Sequence, residues 1–189
     1  KRPNNRAGWC LKFDDSEGGC FGDWSTGLSE VWLENRNNSW SREERIEFAR
    51  KIQAAKKQVE LDLFTKQAKA AIRASTIWND ACLASPKHPY LVRKRINPDG
   101  VKSYRGAIVL PIQDFFGKIT SLQFIRSDGS KHLLANGRKK GCFIHIAGTL
   151  LNPQDVIICE GWATGCTISE SQPHSLVLAA IDANNLEAV

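Results

Sequence analysis

Six cysteines are spread over the 189 residues without a single C-x-x-C pair, and the four histidines supply no matching ligand set. That spacing excludes the usual structural zinc sites. Several of the cysteines fall inside apolar runs, where free thiols serve as small core residues, so a reducing cytoplasm is the expected compartment. No apolar run approaches the roughly 18 residues of a membrane span, and the N-terminus, Lys1-Arg2-Pro3-Asn4-Asn5-Arg6, is too polar for a signal peptide. A soluble protein without a membrane partner is expected. Gly and Pro are missing from residues 41 to 85, which removes every helix breaker from that stretch. Lys and Arg are missing from residues 151 to 189, which carry five acidic residues.

The cations removed from the end of the chain are concentrated just before it. Residues 86 to 150 hold 12 Lys and Arg against 3 Asp and Glu, whereas residues 1 to 40 hold 5 against 6 and residues 41 to 85 hold 9 against 6. A basic block that leads into an acidic one is the footprint of a polyanion site more often than of an evenly solvated surface.

Residues 1 to 40 are expected to form a small β-meander. Trp9, Leu11 and Phe13 alternate with Cys10 and Lys12, Gly18-Gly19 makes a turn, and Cys20 to Trp24 returns. Val31-Trp32-Leu33 follows a second turn at Ser25-Thr26-Gly27. Trp9, Trp24, Trp32 and Trp40 are read as core, since so small a sheet needs large side chains, with base stacking as the alternative. Ser41-Arg42-Glu43-Glu44 forms a capping box. The apolar steps Phe48, Ile52, Ala55, Val59 and then Phe64, Ala68, Ala71, Trp78 predict one helix of about forty residues, or two with a bend near Glu60, within residues 41 to 85. Pro86 is expected to end it.

Residues 86 to 152 are expected to be a basic, antiparallel β-region. It opens with a short helix at His88-Pro89-Tyr90-Leu91-Val92-Arg93-Lys94-Arg95-Ile96 and the turn Asn97-Pro98-Asp99-Gly100. Strands follow at 107–112, 119–125, 132–134 and 142–146, with tight turns between them. Lys131, Arg138, Lys139 and Lys140 lie on or beside those turns and are the candidate phosphate ligands.

The chain is organised around Asp155 to Ile168. Asp155-Val156-Ile157-Ile158-Cys159 reads as a fully buried strand, Glu160-Gly161 as the turn at its end, and the small and β-branched residues after it as a helix. Leu176 to Ile181, followed by Asp182, reads as a second buried strand, which makes a βαβ unit with Glu160 and Asp182 on one rim. Open α/β sheets place their ligands beyond such strand ends. Gly161 is expected to turn the backbone sharply and to leave room beside the carboxylate for a phosphate or a metal ion. Alone, a strand-Glu-Gly pattern is more often an ordinary surface turn.

Leu110-Pro111-Ile112-Gln113-Asp114, Gly117, Gln123-Phe124-Ile125, Lys131, Leu134, the basic turn and Glu160-Gly161 occur in an order and spacing that resembles the catalytic core of bacterial-type DNA primases with a Toprim domain. Gly22-Asp23-Trp24-Ser25-Thr26-Gly27 and His88-Pro89-Tyr90-Leu91 ahead of them resemble motifs of the primases encoded by plasmids, phages and integrated elements. The resemblance covers most of the chain. It implies an α+β fold in which residues 153 to 189 begin an α/β Toprim domain, after the meander (1–40), the helical segment (41–85) and the basic core (86–152). It also implies a parent nucleotidyltransferase that makes RNA primers for replication from ribonucleoside triphosphates on single-stranded DNA. Such an enzyme uses Mg²⁺ or Mn²⁺ and works beside a replicative helicase.

In that family a glutamate after the first strand acts with an Asp-x-Asp pair on a later strand to hold divalent metal. Glu160 matches the glutamate, as the catalytic and metal-binding residue, and Lys131, Arg138, Lys139 and Lys140 fall to template or nucleotide phosphates. Asp182 is not assigned, because Asp182-Ala183-Asn184 lacks the second aspartate. The family's acidic pair follows later than the stretch matched by Ala183-Asn184-Asn185-Leu186 and is expected beyond Val189, so this segment alone is expected to be inactive. The zinc ribbon of many primases is not in it, and Thr164 stands where chromosomal primases carry an aspartate. The competing expectation is a non-catalytic module with a Toprim-like fold that binds single-stranded nucleic acid. A Toprim nuclease or topoisomerase ranks third, since a long basic β-region before the Glu-Gly turn favours a primase.

Overall fold

The computed structural model describes residues 7–13, 18–33, 41–97 and 99–189. They form a mixed α+β protein of two compact units, Lys1–Phe64 and Thr65–Val189, and one long helix, α1 (Arg42–Asp80), has residues in both.

In the first unit β1 (Gly8–Lys12), β2 (Gly18–Asp23) and β3 (Leu28–Leu33) pair antiparallel in that order. Gly18 and Gly19 are not the turn; they open β2, with Gly19 opposite Lys12 and Trp32. The reason is space. A Cβ on Gly19 would stand 2.7 Å from Trp32 Nε1, and one on Gly22 would stand 2.7 Å from the Trp9 ring. Glycine in the middle strand therefore lets the tryptophans of its neighbours lie across it. Residues 14–17, between β1 and β2, and Trp40 lie outside the described residues. Phe13, Cys20 and Ala55 form the core here, with Trp9, Leu11, Val31, Phe48 and Ile52 packed on them. Trp24 stacks loosely on Trp9, with centroids 5.6 Å apart, and stays 42% exposed.

The capping box starts α1 as read. The N–H of Ser41 donates to Glu44 Oε2 (2.7 Å) and the N–H of Glu44 to Ser41 Oγ (3.2 Å), which satisfies two donors the helix itself cannot use. The helix is continuous to Asp80, and its second apolar face keeps Ala71 and Trp78 of the predicted one but not Phe64 and Ala68. Ala74, Ile77, Trp78 and Ala81 meet Val109 and Leu122, whereas Phe64 is 70% exposed. Alanines at the contact let the helix backbone approach the strands beneath it. The helix stops short of Pro86 because Cys82–Leu83 enters a sheet as β4.

The second unit holds two sheets. β4, β5 (Lys102–Tyr104), β6 (Ala107–Gln113), β7 (Ile119–Ile125) and β8 (Lys131–Leu133) pair antiparallel in chain order. The strand expected next in that region, β9 (Ile144–Ala147), instead joins β11 (Leu176–Ala179), and only an isolated bridge, Gln113 to Phe143, ties it to β6. β8 is short and exposed at all three positions, whereas β11 buries Phe143 against Leu176 and Leu178. The apolar partner wins.

β10 (Val156–Cys159) pairs parallel with β11, and α3 (Trp162–Ser171) connects them, which is the predicted βαβ unit. The expected full burial of the first strand does not hold. The order β10-β11-β9 leaves β10 on the edge, with Val156 52% and Ile158 39% exposed, while the central β11 is buried at every position. The main core links α2 (Pro89–Lys94), both sheets and α3 through Leu91, Ile108, Ile112, Ile125, Ile144 and Trp162. Each such side chain contributes about 1.5 to 3 kcal/mol by leaving water. No described helix is long and apolar enough to cross a membrane.

Candidate functional site

Glu160 follows β10 as an exposed residue. The N–H of Ala180 donates to Cys159 O (2.8 Å), so the two parallel strands end level. Asp182, two residues past Ala180, belongs to the same rim. Gly161 has φ −122° and ψ 144°, extended backbone that any residue adopts. The sharp turn expected of it is therefore not why glycine stands there. The room expected beside it does exist: the one atom within 4 Å of a Cβ at this position is Lys131 Nζ, at 3.8 Å. The ammonium of β8 thus reaches the Glu160-Gly161 turn. Gly161 also caps α3 without a side-chain hydrogen bond, which leaves the electropositive end of the helix for an anion.

Two further cations reach the same place, and the sequence reading did not assign them. A cavity of about 390 Å³ is lined by Arg93, Lys94, Lys131, Asp128, Gly161 and Thr164, among others. Arg93 and Lys94 come from the helix of the His88-Pro89-Tyr90-Leu91 motif, whose role is now physical. His88 Nδ1 accepts from the N–H of Tyr90 (3.3 Å), so the ring proton sits on Nε2, which faces Gly106 O at 3.3 Å. Tyr90 stacks on Trp162, the first residue of α3, at 6.4 Å and 18°, and the Arg93 guanidinium lies 5.7 Å from the Tyr90 ring centroid. The motif seats the start of α3 and brings its own cations to the cavity. The clue in the sequence was the pair Arg93-Lys94 one helical turn after Tyr90. Asp128 is the carboxylate in this lining; the N–H of Ser130 donates to it (2.8 Å) and holds its carboxyl below the usual range.

The basic turn is arranged differently from what was expected of it. Arg138 donates to Asp114 Oδ2 at 2.8 Å, and Lys139 Nζ lies 2.5 Å from Asp182 Oδ2. Both cations are thereby partly neutralised, while Lys140 is exposed. Asn185, absent from the predicted site, locks this arrangement. It is 2% exposed, accepts from Gly141 N–H (3.1 Å) and donates to Cys142 O (2.8 Å) and Ala180 O (3.0 Å). The structure therefore brings Lys131 to Glu160-Gly161 and Lys139 to Asp182.

The thiols nearest the site are held neutral. Burial pushes Cys159 up, and burial, with Glu170 and Cys159 adding to it, pushes Cys166 up to about 12. Cys10 and Cys82 are exposed and all six cysteines are free thiols. Limited alkylation by iodoacetamide near pH 8, read by peptide mass, is expected to label Cys10 and Cys82 first and Cys166 roughly a hundredfold or more slowly, because the thiolate reacts. Equal rates would show that α3 opens readily.

Among the described residues no three His, Cys, Asp or Glu side chains converge as a metal ligand set. Mg²⁺ takes about six oxygen ligands, and the exposed Glu160 with an Asp182 already paired to Lys139 does not make such a site. These residues do not by themselves hold the divalent ion that the resemblance implies.

No family model matches the chain, and no solved structure matches it. Two curated proteins of Escherichia coli named DNA primase TraC are similar to it. One is 38% identical over 94 residues, 48% of this chain and 8% of that protein. The other is 35% identical over 111 residues, 53% of this chain and 7% of that protein. About half of the chain is thus related to primase-named proteins, and the chain spans less than a tenth of their length.

Proposed function

We propose that the parent protein is a DNA primase of the mobile-element kind, a nucleotidyltransferase that builds RNA primers on single-stranded DNA in the cytoplasm. In this reading residues 86–152 form its basic core and residues 153–189 begin a Toprim domain, behind the meander of 1–40 and the helical segment of 41–85. The relatives' name supports the activity. The observation that carries the site is Lys131 Nζ beside Gly161, in a cavity it shares with Arg93 and Lys94 and at the uncapped start of α3. Three cations and a helix N-terminus suit a triphosphate, whose charge they offset as pyrophosphate leaves. Glu160, the residue before Gly161 in the same turn, would accept the proton of the attacking hydroxyl or help to hold the metal. Mg²⁺ or Mn²⁺ would neutralise phosphate charge, with further ligands from outside the described residues; a replicative helicase is the natural partner. Lys140, with Arg138 and Lys139 once their carboxylates exchange for phosphate, would hold the template strand.

The absence of a complete carboxylate set among the described residues favours one second reading, a module that only binds single strands. The deciding experiment is incorporation of labelled ribonucleotides on single-stranded DNA by the full natural chain with Mg²⁺, beside its DNA affinity at graded salt. Incorporation is expected. If about four phosphates are held, the slope of log affinity on log salt should be roughly −3. Salt-sensitive binding without incorporation under either metal would replace the primase with the binding module.

A further inference from the structure

Phe116 is 97% exposed, the most exposed large apolar side chain described. It stands at the tip of the turn between β6 and β7, where chains ordinarily place polar residues. The tip is rigid. Asp114 Oδ1 accepts from the N–H groups of Phe116 and Lys118 (3.1 Å each), Gly117 N–H donates to Asp114 O (2.9 Å), and Asp114 N–H donates to Lys118 O (3.1 Å). Phe115, the preceding residue, packs on the buried Phe143 at 4.7 Å and anchors the turn from below. Nothing in these contacts uses the Phe116 ring.

The surroundings state what the ring suits. Lys118 is exposed beside it, and the Arg138-Lys139-Lys140 turn is tied to the same tip through the 2.8 Å pair of Arg138 with Asp114. That pair also masks the carboxylate that would otherwise repel a phosphate. A protein interface would bring a broad apolar patch depleted in lysine, whereas two adjacent rings, Phe116 at 97% and Phe115 at 51% exposure, set among cations are the composition that binds single-stranded nucleic acid, an exposed ring stacking on a base and the cations holding the backbone. In a duplex the base faces are already covered. We infer that the tip of the β6–β7 turn is a base-stacking platform, with Phe116 as the stacking residue, Lys118 and Lys140 as its phosphate contacts, and single-stranded nucleic acid as its ligand. This rests on the primase reading in one respect, the template as the strand bound, and it names a contact that reading did not require.

The test uses the full natural chain and a fluorescent oligothymidylate, with affinity measured by anisotropy over a range of salt. Phe116→Ala is expected to weaken binding about tenfold at every salt concentration with the salt slope unchanged, since one stacked base and no phosphate contact is lost. Phe116→Trp should restore affinity and Phe116→Leu should not. Lys118→Ala should make the slope shallower by about 0.7. Unchanged affinity in Phe116→Ala, full rescue by leucine, no oligonucleotide binding by the natural chain, or a lower urea midpoint for Phe116→Ala each overturns the inference; the last would mean that the ring is packed within the natural chain. Primer synthesis measured in parallel separates the two ideas. Synthesis with Phe116-independent binding overturns the platform alone, and Phe116-dependent binding without synthesis overturns the primase alone.

Discussion

Glu160→Gln in the full natural chain is expected to lower Mg²⁺-dependent ribonucleotide incorporation by about two to three orders of magnitude, with single-stranded DNA affinity nearly unchanged. The substitution keeps the size of the side chain and removes its charge and basicity. Glu160 is exposed at the end of an edge strand, so the fold should not notice; exposed substitutions of this kind stay within roughly 0.5 kcal/mol. A loss of activity is therefore attributable to the carboxylate itself. The affinity arm matters because the cations that line the cavity with Gly161, namely Lys131, Arg93 and Lys94, remain. Retained synthesis would remove Glu160 from the chemistry, and a parallel loss of DNA binding would show a positional role in place of a chemical one.

Gly148→Ala is expected to destabilise the second unit by about 3 kcal/mol or more, against about 1 to 2 kcal/mol for Gly106→Ala. Both glycines lie in the left-handed region, with φ 83° and 78°. They differ in surroundings. A Cβ at Gly106 meets nothing within 4 Å, whereas one at Gly148 would stand 2.6 Å from Leu176 Cα and from Ser175 O. Those are backbone atoms that cannot swing aside. Leu176 N–H donates to Asp155 O (2.9 Å) and opens β11, the strand on which both β9 and β10 depend. Urea unfolding of both variants measures the difference directly. Equal midpoints would mean that the β9–β11 contact loosens at little cost, and with it the alignment of the rim that carries Glu160 and Asp182.

Much of the architecture was legible because it rests on near neighbours in the chain. The capping box needs only Ser41 and Glu44, the meander only alternation and turns, and the βαβ unit two apolar runs separated by one helix. The misreadings share a cause. Whether Val156 and Ile158 are buried depends on whether a strand lies on the far side of β10, and no residue within β10 records that. Phe64 and Ala68 continue the helical spacing as well as Ala70 and Ala74 do, and only the position of Val109 and Leu122 decides between them. Residues 142–146 have the pattern of a strand in either sheet.

The candidate site divides along the same line. By itself the sequence determined that a carboxylate and a glycine close a strand and open a helix, that a basic block precedes them, and that the His88-Pro89-Tyr90-Leu91 helix carries cations, since these follow from residue type and local spacing. Only the tertiary structure decided that Lys131 meets Gly161, that Tyr90 seats Trp162 and so brings Arg93 and Lys94 to the cavity, and that Arg138 and Lys139 spend their charge on Asp114 and Asp182. Those meetings join residues 24 to 72 positions apart, and their register is set by which apolar faces find one another in the core, a quantity of the whole chain that no single segment contains.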